Sequence, residues 1–431
     1  MCEFITELDK KQGKYLNVLE KAESSLFPGF NIKQILFNET AYCSRQSKIN
    51  IFKGLIKSLF FKNYFLDSEI KGQEILLLYS KNYRSDHDNY WEKIKQDVIN
   101  YDSITILTQG QRKLDLKKLI IKVRYLRRCY KELNSIDKKS DRLYLALRLI
   151  DRKIVMNEIE RLCLTPKVVM CFSDNSVDEN VLMQYFKAIG SITVTNQHGF
   201  CVFQSYDYDR LNQSQILNFK CDYFFARSIK QKEQFVLAGF NDERIKVVGF
   251  IGENNKDIKI NYANSIGIYL DCPTVPFSNK INKRMIEYGK KIAKEFGWKY
   301  LVKCHPQDLI DKYKNDIDDG CLDILGKETT LEETFEKVSI CIIHASATYV
   351  DAYKYGLRCL KMNAEIKYPI AMKEDEFDTL EEAIDKITAW NIISFKDKKT
   401  YIESVQEKYA SHWEKGNIDK ELQKIKGKRI V

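Results

Sequence analysis

Short apolar runs alternate along most of the chain with stretches whose apolar residues recur every three or four positions. A short apolar run bounded by polar residues suits a buried strand, and the longer recurrence suits an amphipathic helix. On this pattern the first half predicts strands at 74–80, 103–108, 167–172, 191–195 and 221–226. Helices are expected at 90–100, 178–189 and 231–238, the last stopped by Gly239, a residue suited to a helix end. Leu116, Leu119, Ile120, Val123 and Leu126, then Leu143, Leu147 and Ile150, mark two further helices broken near Asn134 and Ser135. A polar stretch at 253–264 reads as a linker. A second alternation follows it, with strands at 265–270, 299–303, 339–343 and 358–362. Its helices are expected at 283–296, 331–337 and 348–355, and the rest to Val431 is mostly helical.

Alternating strands and helices mean parallel sheets covered by helices. The expected fold is α/β, with two Rossmann-like doubly wound domains facing a cleft. The first domain spans 1–252 and carries a basic helical insert at about 111–163. The second spans 265–431, with a helical tail, and the linker is 253–264. Ligands in such folds bind outside the carboxyl ends of the strands, so the cleft is the expected site.

Composition narrows the class. With 44 % hydrophobic and 30 % charged residues, the 431-residue chain is globular, not disordered. No apolar stretch approaches the ~20 residues of a membrane span. The start, Met1-Cys2-Glu3-Phe4, has no signal-peptide pattern. Twelve cysteines without a CxxC pair read as reduced residues of a cytoplasmic protein, with Cys163, Cys171, Cys272, Cys304, Cys341 and Cys359 expected in or beside the core. No metal site is expected. The net charge of +10 is local: from Arg112 to Lys153 there are 15 basic and 5 acidic residues. A second stretch, from Ile51 to Lys62, also mixes Lys with large apolar groups. Such a surface would attract anionic lipid headgroups or a pyrophosphate-linked acceptor, placing the protein peripherally on the inner face of the plasma membrane. A merely solvated basic face is the alternative. No nucleic-acid motif accompanies the charge, and no nucleic-acid partner is expected.

Candidate chemistry gathers just past the strands. Ser173-Asp174-Asn175 follows one strand, Gln197-His198-Gly199 another, and Cys304-His305-Pro306 a third. His344-Ala345-Ser346-Ala347-Thr348 follows a fourth and opens a helix. A histidine accepts a hydroxyl proton near neutral pH, so His198 is a candidate base, with Gly199 allowing close backbone approach. Asp174 is the rival base, or a helix cap. His305 is placed to donate to a departing phosphate oxygen. Ser346 and Thr348 stand where free N–H groups favour a phosphate, or act as caps. Asp351, one turn on, faces a ribose or solvent. Asp207 and Asp209 have the spacing of an acidic metal pair in a polar turn, and His87, between Asp86 and Asp88, follows the first strand and is an acceptor-side candidate. No P-loop or GxGxxG motif follows a strand, which takes the main support from the ATPase and dinucleotide-oxidoreductase readings, and no GxSxG elbow occurs.

These motifs, over about 165–365, resemble those of bacterial glycosyltransferases with the two-Rossmann-domain GT-B architecture. His198-Gly199 is similar to the His-Gly turn of CDP-glycerol-type teichoic-acid polymerases. His305-Pro306 is similar to the His-Pro of both those enzymes and the bacterial sialyl- and polysialyltransferases. Ser346-Ala347-Thr348-Tyr349-Val350-Asp351 resembles the Ser-Ser-x-x-x-Asp helix start, with Ala347 in place of the second Ser and Thr348 supplying a hydroxyl. The resemblance implies an inverting, metal-independent transferase that passes a sugar from a nucleotide-activated donor to a capsular polysaccharide or lipid-linked acceptor. The donor would meet His305, Pro306, Ser346, Thr348 and Asp351, and His198 or Asp174 would act as base. No cofactor is implied beyond the donor substrate. A CDP-polyol phosphotransferase, a nucleotide-sugar 2-epimerase and a non-catalytic membrane-surface protein are the alternatives.

Overall fold

A computed structural model describes residues 2–45, 48–56, 58–59, 62–81, 85–110, 116–174, 177–197, 221–237, 239–251, 263–273, 277–365 and 368–428. The first sheet contains β1 (Lys62–Glu69), β2 (Ile75–Lys81), β3 (Asp102–Gly110), β4 (Val168–Cys171), β5 (Ile192–Asn196), β6 (Tyr223–Ala226) and β7 (Ile245–Val247). Their order is β1-β3-β2-β4-β5-β6-β7. β1 runs antiparallel to β3, and the remaining pairs are parallel. β1 is absent from the sequence expectation. Its Lys62, Asp67 and Glu69 break the apolar run, as suits a sheet edge that must not pair further.

The second sheet contains β8 (Ser265–Tyr269), β9 (Lys299–Lys303), β10 (Cys321–Leu325), β11 (Ile340–Ile343), β12 (Arg358–Met362) and β13 (Glu376–Phe377). Their order is β10-β9-β8-β11-β12-β13, all parallel. The helix Ser278–Phe296 lies close on β8 because Gly289 has no side chain: a Cβ there would stand 2.2 Å from Ile268 Cδ1. The α/β expectation of two Rossmann-like domains therefore holds. The linker expected at 253–264 falls almost wholly outside the described residues.

Alternate side chains of the central strands point to opposite faces. Leu76, Leu78, Ile104, Ile106, Val169 and Cys171 of the first sheet pack under a helical layer. That layer combines the N-terminal helices with Leu116–Glu132, Lys139–Glu160 and Val177–Ala188. The opposite face, with Ile75, Leu77, Val168, Met170 and Val194, is covered by the Ser85–Asp97 helix and by Ile418, Leu422 and Ile425. The last three belong to the helix Asn417–Lys426, so the end of the tail assigned to the second domain packs on the first. Asp97 holds it there by accepting the Ile418 N–H at 2.9 Å and the Gly416 N–H. Gly249, at φ +82, lies against the His412 and Trp413 backbone, where a Cβ would come within 2.6 Å of the His412 carbonyl.

Part of the basic segment is internal, contrary to the expectation of a wholly outward cationic face. Lys122 pairs with Asp151 at 2.9 Å. Arg148 bridges Asp151 and Glu39, at 2.7 and 2.9 Å. Arg152 pairs with Glu39 and Asp178. Burying such charges requires matched partners, and these carboxylates come from three separate helices. Among the cysteines, Cys171, Cys304, Cys341 and Cys359 are buried as expected, but Cys163 is exposed and Cys272 half-buried.

Candidate active site

In each sheet the strand order reverses beside the first parallel strand. The reversal falls between β2 and β4 in the first sheet and between β8 and β11 in the second. A doubly wound sheet opens a crevice outside its carboxyl edge at such a point. One buried carboxylate stitches each reversal together.

In the second sheet it is Asp271, just past β8. Its Oδ2 lies 2.6 Å from His344 Nδ1, past β11, and its Oδ1 accepts the Ala345 N–H at 2.9 Å. Both side chains are wholly buried. A carboxylate only accepts, so His344 donates through Nδ1. The next residue, Cys272, reaches the other neighbour: its Sγ donates to Gln307 Oε1 at 3.2 Å. The β8 turn thus holds both the His305 turn after β9 and the Ser346 turn after β11. Behind it, Asn282 Oδ1 accepts the Asp271 N–H and Asn282 Nδ2 donates to Tyr313, whose hydroxyl donates to Asp308 at 2.6 Å.

On this frame His305 is half-buried and Pro306 exposed. His305 Nδ1 accepts the Gln307 N–H at 3.2 Å, which leaves the neutral ring's proton on Nε2. Ser346 and Thr348 are brought together, their hydroxyls 2.8 Å apart. Ser346 Oγ also accepts the Thr348 N–H at 3.2 Å while remaining half-exposed; the helix's N-cap is Ala347, which makes no side-chain cap bond. Thr348 begins the helix Thr348–Lys354.

In the first sheet the stitch is Glu179, which accepts the N–H groups of Ser80, in the last residues of β2, and Ser173, past β4. Burial holds its carboxyl well above the ordinary range. Asp174 beside it is wholly buried. Its N–H donates to Thr195, its carbonyl accepts from Asn180, and its carboxylate accepts the Cys221 N–H at 3.0 Å. The candidate base Asp174 therefore sits in the floor beneath the crevice rather than on its surface. His87 lies on the Ser85–Asp97 helix, not in a loop, with its ring 5.1 Å from Phe172 and 8 % exposed. His198, Gly199, Asp207 and Asp209 lie outside the described residues.

Asp351 is half-exposed on the helix Thr348–Lys354. It lies within electrostatic reach of Arg227, past β6 in the other domain. The Arg227 guanidinium stacks on Tyr90 at 4.2 Å and approaches Phe250 at 5.4 Å, while Lys354 Nζ lies 4.9 Å from the same Phe250 ring. Burial and then the Glu332 charge push Asp351 up to about 7, against the pull of Arg227. Burial and then the Arg227 and Lys93 charges push Lys354 down to about 7. Folded Asp351 keeps its proton up to about pH 7, whereas an unfolded aspartate loses it near 3.8, so stability falls as pH rises through that window. Folded Lys354 loses its proton near 7 and an unfolded lysine near 10.5, so stability climbs between them. These two groups place a minimum near neutral pH, with limiting slopes of about 1.4 kcal/mol per pH unit. Lys354→Met is expected to remove the climb above pH 7 in urea unfolding; an undiminished climb refutes the assignment.

The sequence pointed to His305, Ser346 and Thr348 by their places after strands. It did not single out Asp271 or Glu179, and it marked Cys272 only as a core cysteine. Asp271 ends an apolar run followed by a helix, the one signal it carries.

No protein-family model matches the sequence, and no curated protein matches it. Among solved structures the chain is similar to S. aureus TarM in complex with fondaparinux, alpha-GlcNAc-glycerol and UDP, at 14 % identity and a TM-score of 0.46. That match covers 64 % of this chain and 59 % of TarM, so the chain spans under two thirds of TarM's length. It is similar to Methanocaldococcus jannaschii UDP-GlcNAc 2-epimerase in complex with UDP-GlcNAc and UDP, at 12 % identity and 0.47, covering 81 % of this chain and 99 % of that one. It is similar to the lipopolysaccharide outer core galactosyltransferase WaaB, at 12 % identity and 0.46, with coverage of 81 % and 99 %. The chain's own sheets define its architecture: two Rossmann-like domains, their reversal points stitched by Glu179 and Asp271.

Proposed function

We propose that this protein is a glycosyltransferase that moves a sugar from a nucleotide-activated donor to a saccharide or lipid-linked acceptor of a cell-surface polysaccharide. The observation that carries the reading is the Asp271–His344 stitch, which holds the His305 and Ser346 turns on either side of the second sheet's reversal. The half-exposed Ser346 hydroxyl, beside that of Thr348, suits the donor phosphates. His305 donates its Nε2 proton to the phosphate oxygen that leaves. The acceptor oxygen forms its bond to the anomeric carbon as the bond to phosphate breaks, so a single displacement inverts that centre. Of the two base candidates, Asp174 is buried and engaged with Cys221, and the reading assigns the acceptor proton to His198. The developing negative charge is met by fixed donors, and no metal enters the scheme.

The test is a thermal-shift panel of CMP, CDP, UDP, GDP and their sugar or polyol conjugates, with and without Mg²⁺. A ligand at 100 times its Kd adds about 2.7 kcal/mol of stability. Selective stabilisation by UDP or GDP supports hexosyl transfer. CMP indicates a sialyl-type donor, and CDP indicates polyol-phosphate transfer. No shift from any nucleotide overturns the reading.

A further inference from the structure

The basic helix Leu116–Glu132 and the helix Lys48–Ile56 both pack on Lys139–Glu160 and flank one groove, and together they expose an unusual surface. Ile49, Phe52 and Ile56 are 68 %, 63 % and 39 % exposed. Their spacing of three and four residues places them along one stripe of their helix. Across from them, Ile120 and Val123 are 67 % and 59 % exposed. Phe52 and Val123 face one groove from opposite helices, whereas singly scattered apolar residues would need no explanation. Between the helices runs a groove of about 620 Å³, lined by Phe52, Leu55, Leu126 and Leu143, with Arg127 and Lys139 also on its walls.

Charge surrounds the patch. Arg124, Arg127, Arg128 and Lys131 are exposed on the 116–132 helix and Lys53 on the other. The only acidic residue within either helix is Glu132, which pairs with Arg128. Arg124 and Arg127 make no ion pair among the described residues. The inward cation of the same helix, Lys122, is already neutralised by Asp151, so the unneutralised charge is specifically the outward charge.

We propose that this two-helix face docks on an anionic phospholipid bilayer. Phe52, Ile120 and their neighbours enter the interface while Arg124 and Arg127 meet lipid phosphates. Charge complementarity selects this occupant. Phosphate alone would satisfy the arginines and leave the apolar stripe in water, and an uncharged apolar partner would strand the arginines. The inference does not depend on the transferase reading, because it concerns a surface on the outer helical layer of the first domain.

The test uses the full chain in co-sedimentation with phosphatidylcholine vesicles, with and without phosphatidylglycerol. Binding only to the anionic vesicles, weakening with salt, is expected. The variant Phe52→Ser/Ile120→Ser/Val123→Ser should bind at least about ten-fold more weakly. Arg124→Gln/Arg127→Gln should lose about five-fold per arginine. Each variant is checked for an unchanged thermal midpoint and an unchanged response to the nucleotide panel. That check separates loss of docking from loss of fold, and from any failure of the donor-site reading. No binding by the natural chain overturns the proposal, as does binding indifferent to both variants. So does a chain that dimerises through Phe52 and ignores vesicles.

Discussion

His305→Ala should retain donor affinity within a few-fold while its turnover falls about 10²–10³-fold, the usual cost of removing one donor aimed at developing charge. His305 Nδ1 is occupied by the Gln307 N–H, so the ring's proton sits on Nε2. That proton is worth most when the phosphate oxygen gains charge, in the transition state rather than the bound ground state. The fold has little at stake, because the ring is only half-buried and the orphaned Gln307 N–H belongs to an exposed residue. Steady-state kinetics with the donor identified by the nucleotide panel decide it. His305→Gln keeps a side-chain N–H and should recover part of the loss. Natural turnover in His305→Ala sinks the assignment.

Asp271→Ala should be the most destabilising change at the site. It strips the partner from His344 Nδ1 and from the Ala345 N–H at once. Each buried donor left unsatisfied costs about 1–3 kcal/mol, so the pair costs about 2–6 kcal/mol. Urea unfolding should show a lower midpoint with an unchanged slope. Asp271→Asn is the milder companion. Its remaining carbonyl still accepts the Ala345 N–H, and its amide faces a His344 ring that changes tautomer to accept. It should fold, lose less stability, and still bind nucleotide more weakly, because the Ser346 turn depends on the stitch. If Asp271→Ala leaves the midpoint unmoved, or Asp271→Asn leaves nucleotide binding unmoved, the role assigned to Asp271 is wrong.

The two variants probe different layers of one site, and these layers differ in how they show in a sequence. His305 and Ser346 announce themselves because each directly follows an apolar run, and a strand's carboxyl end is where a doubly wound fold places its chemistry. Asp271 also follows an apolar run, yet its importance lies in two partners more than seventy residues away. Nothing local marks such a pairing. Asp174 shows the converse. Its position after β4 made it a reasonable base, but the chain folds it beneath the crevice onto Cys221. Asp351 has the position of a ligand contact and also meets the field of Arg227 from the other domain, which no local pattern shows.

The basic segment divides in the same way. Its helices, and the break near Asn134, were legible from the recurrence of leucines and isoleucines, and they occur as Leu116–Glu132 and Lys139–Glu160. The pattern treats all its cations alike. The fold turns Lys122, Arg148 and Arg152 inward onto Asp151, Glu39 and Asp178 respectively, each on a helix other than the cation's own, and leaves Arg124 and Arg127 outside.

By itself, then, the sequence determined the alternation of elements, the two-sheet α/β class and the turns that carry His305 and Ser346. Those follow from local periodicity and from apolar runs long enough to cross a sheet. Tertiary structure alone decided the order of the strands, the return of the last helix onto the first sheet, and the stitches made by Glu179 and Asp271. It also decided which cations are buried. These depend on pairings between distant segments, where the cost of burying a charge or an N–H is met by a partner that no local pattern names.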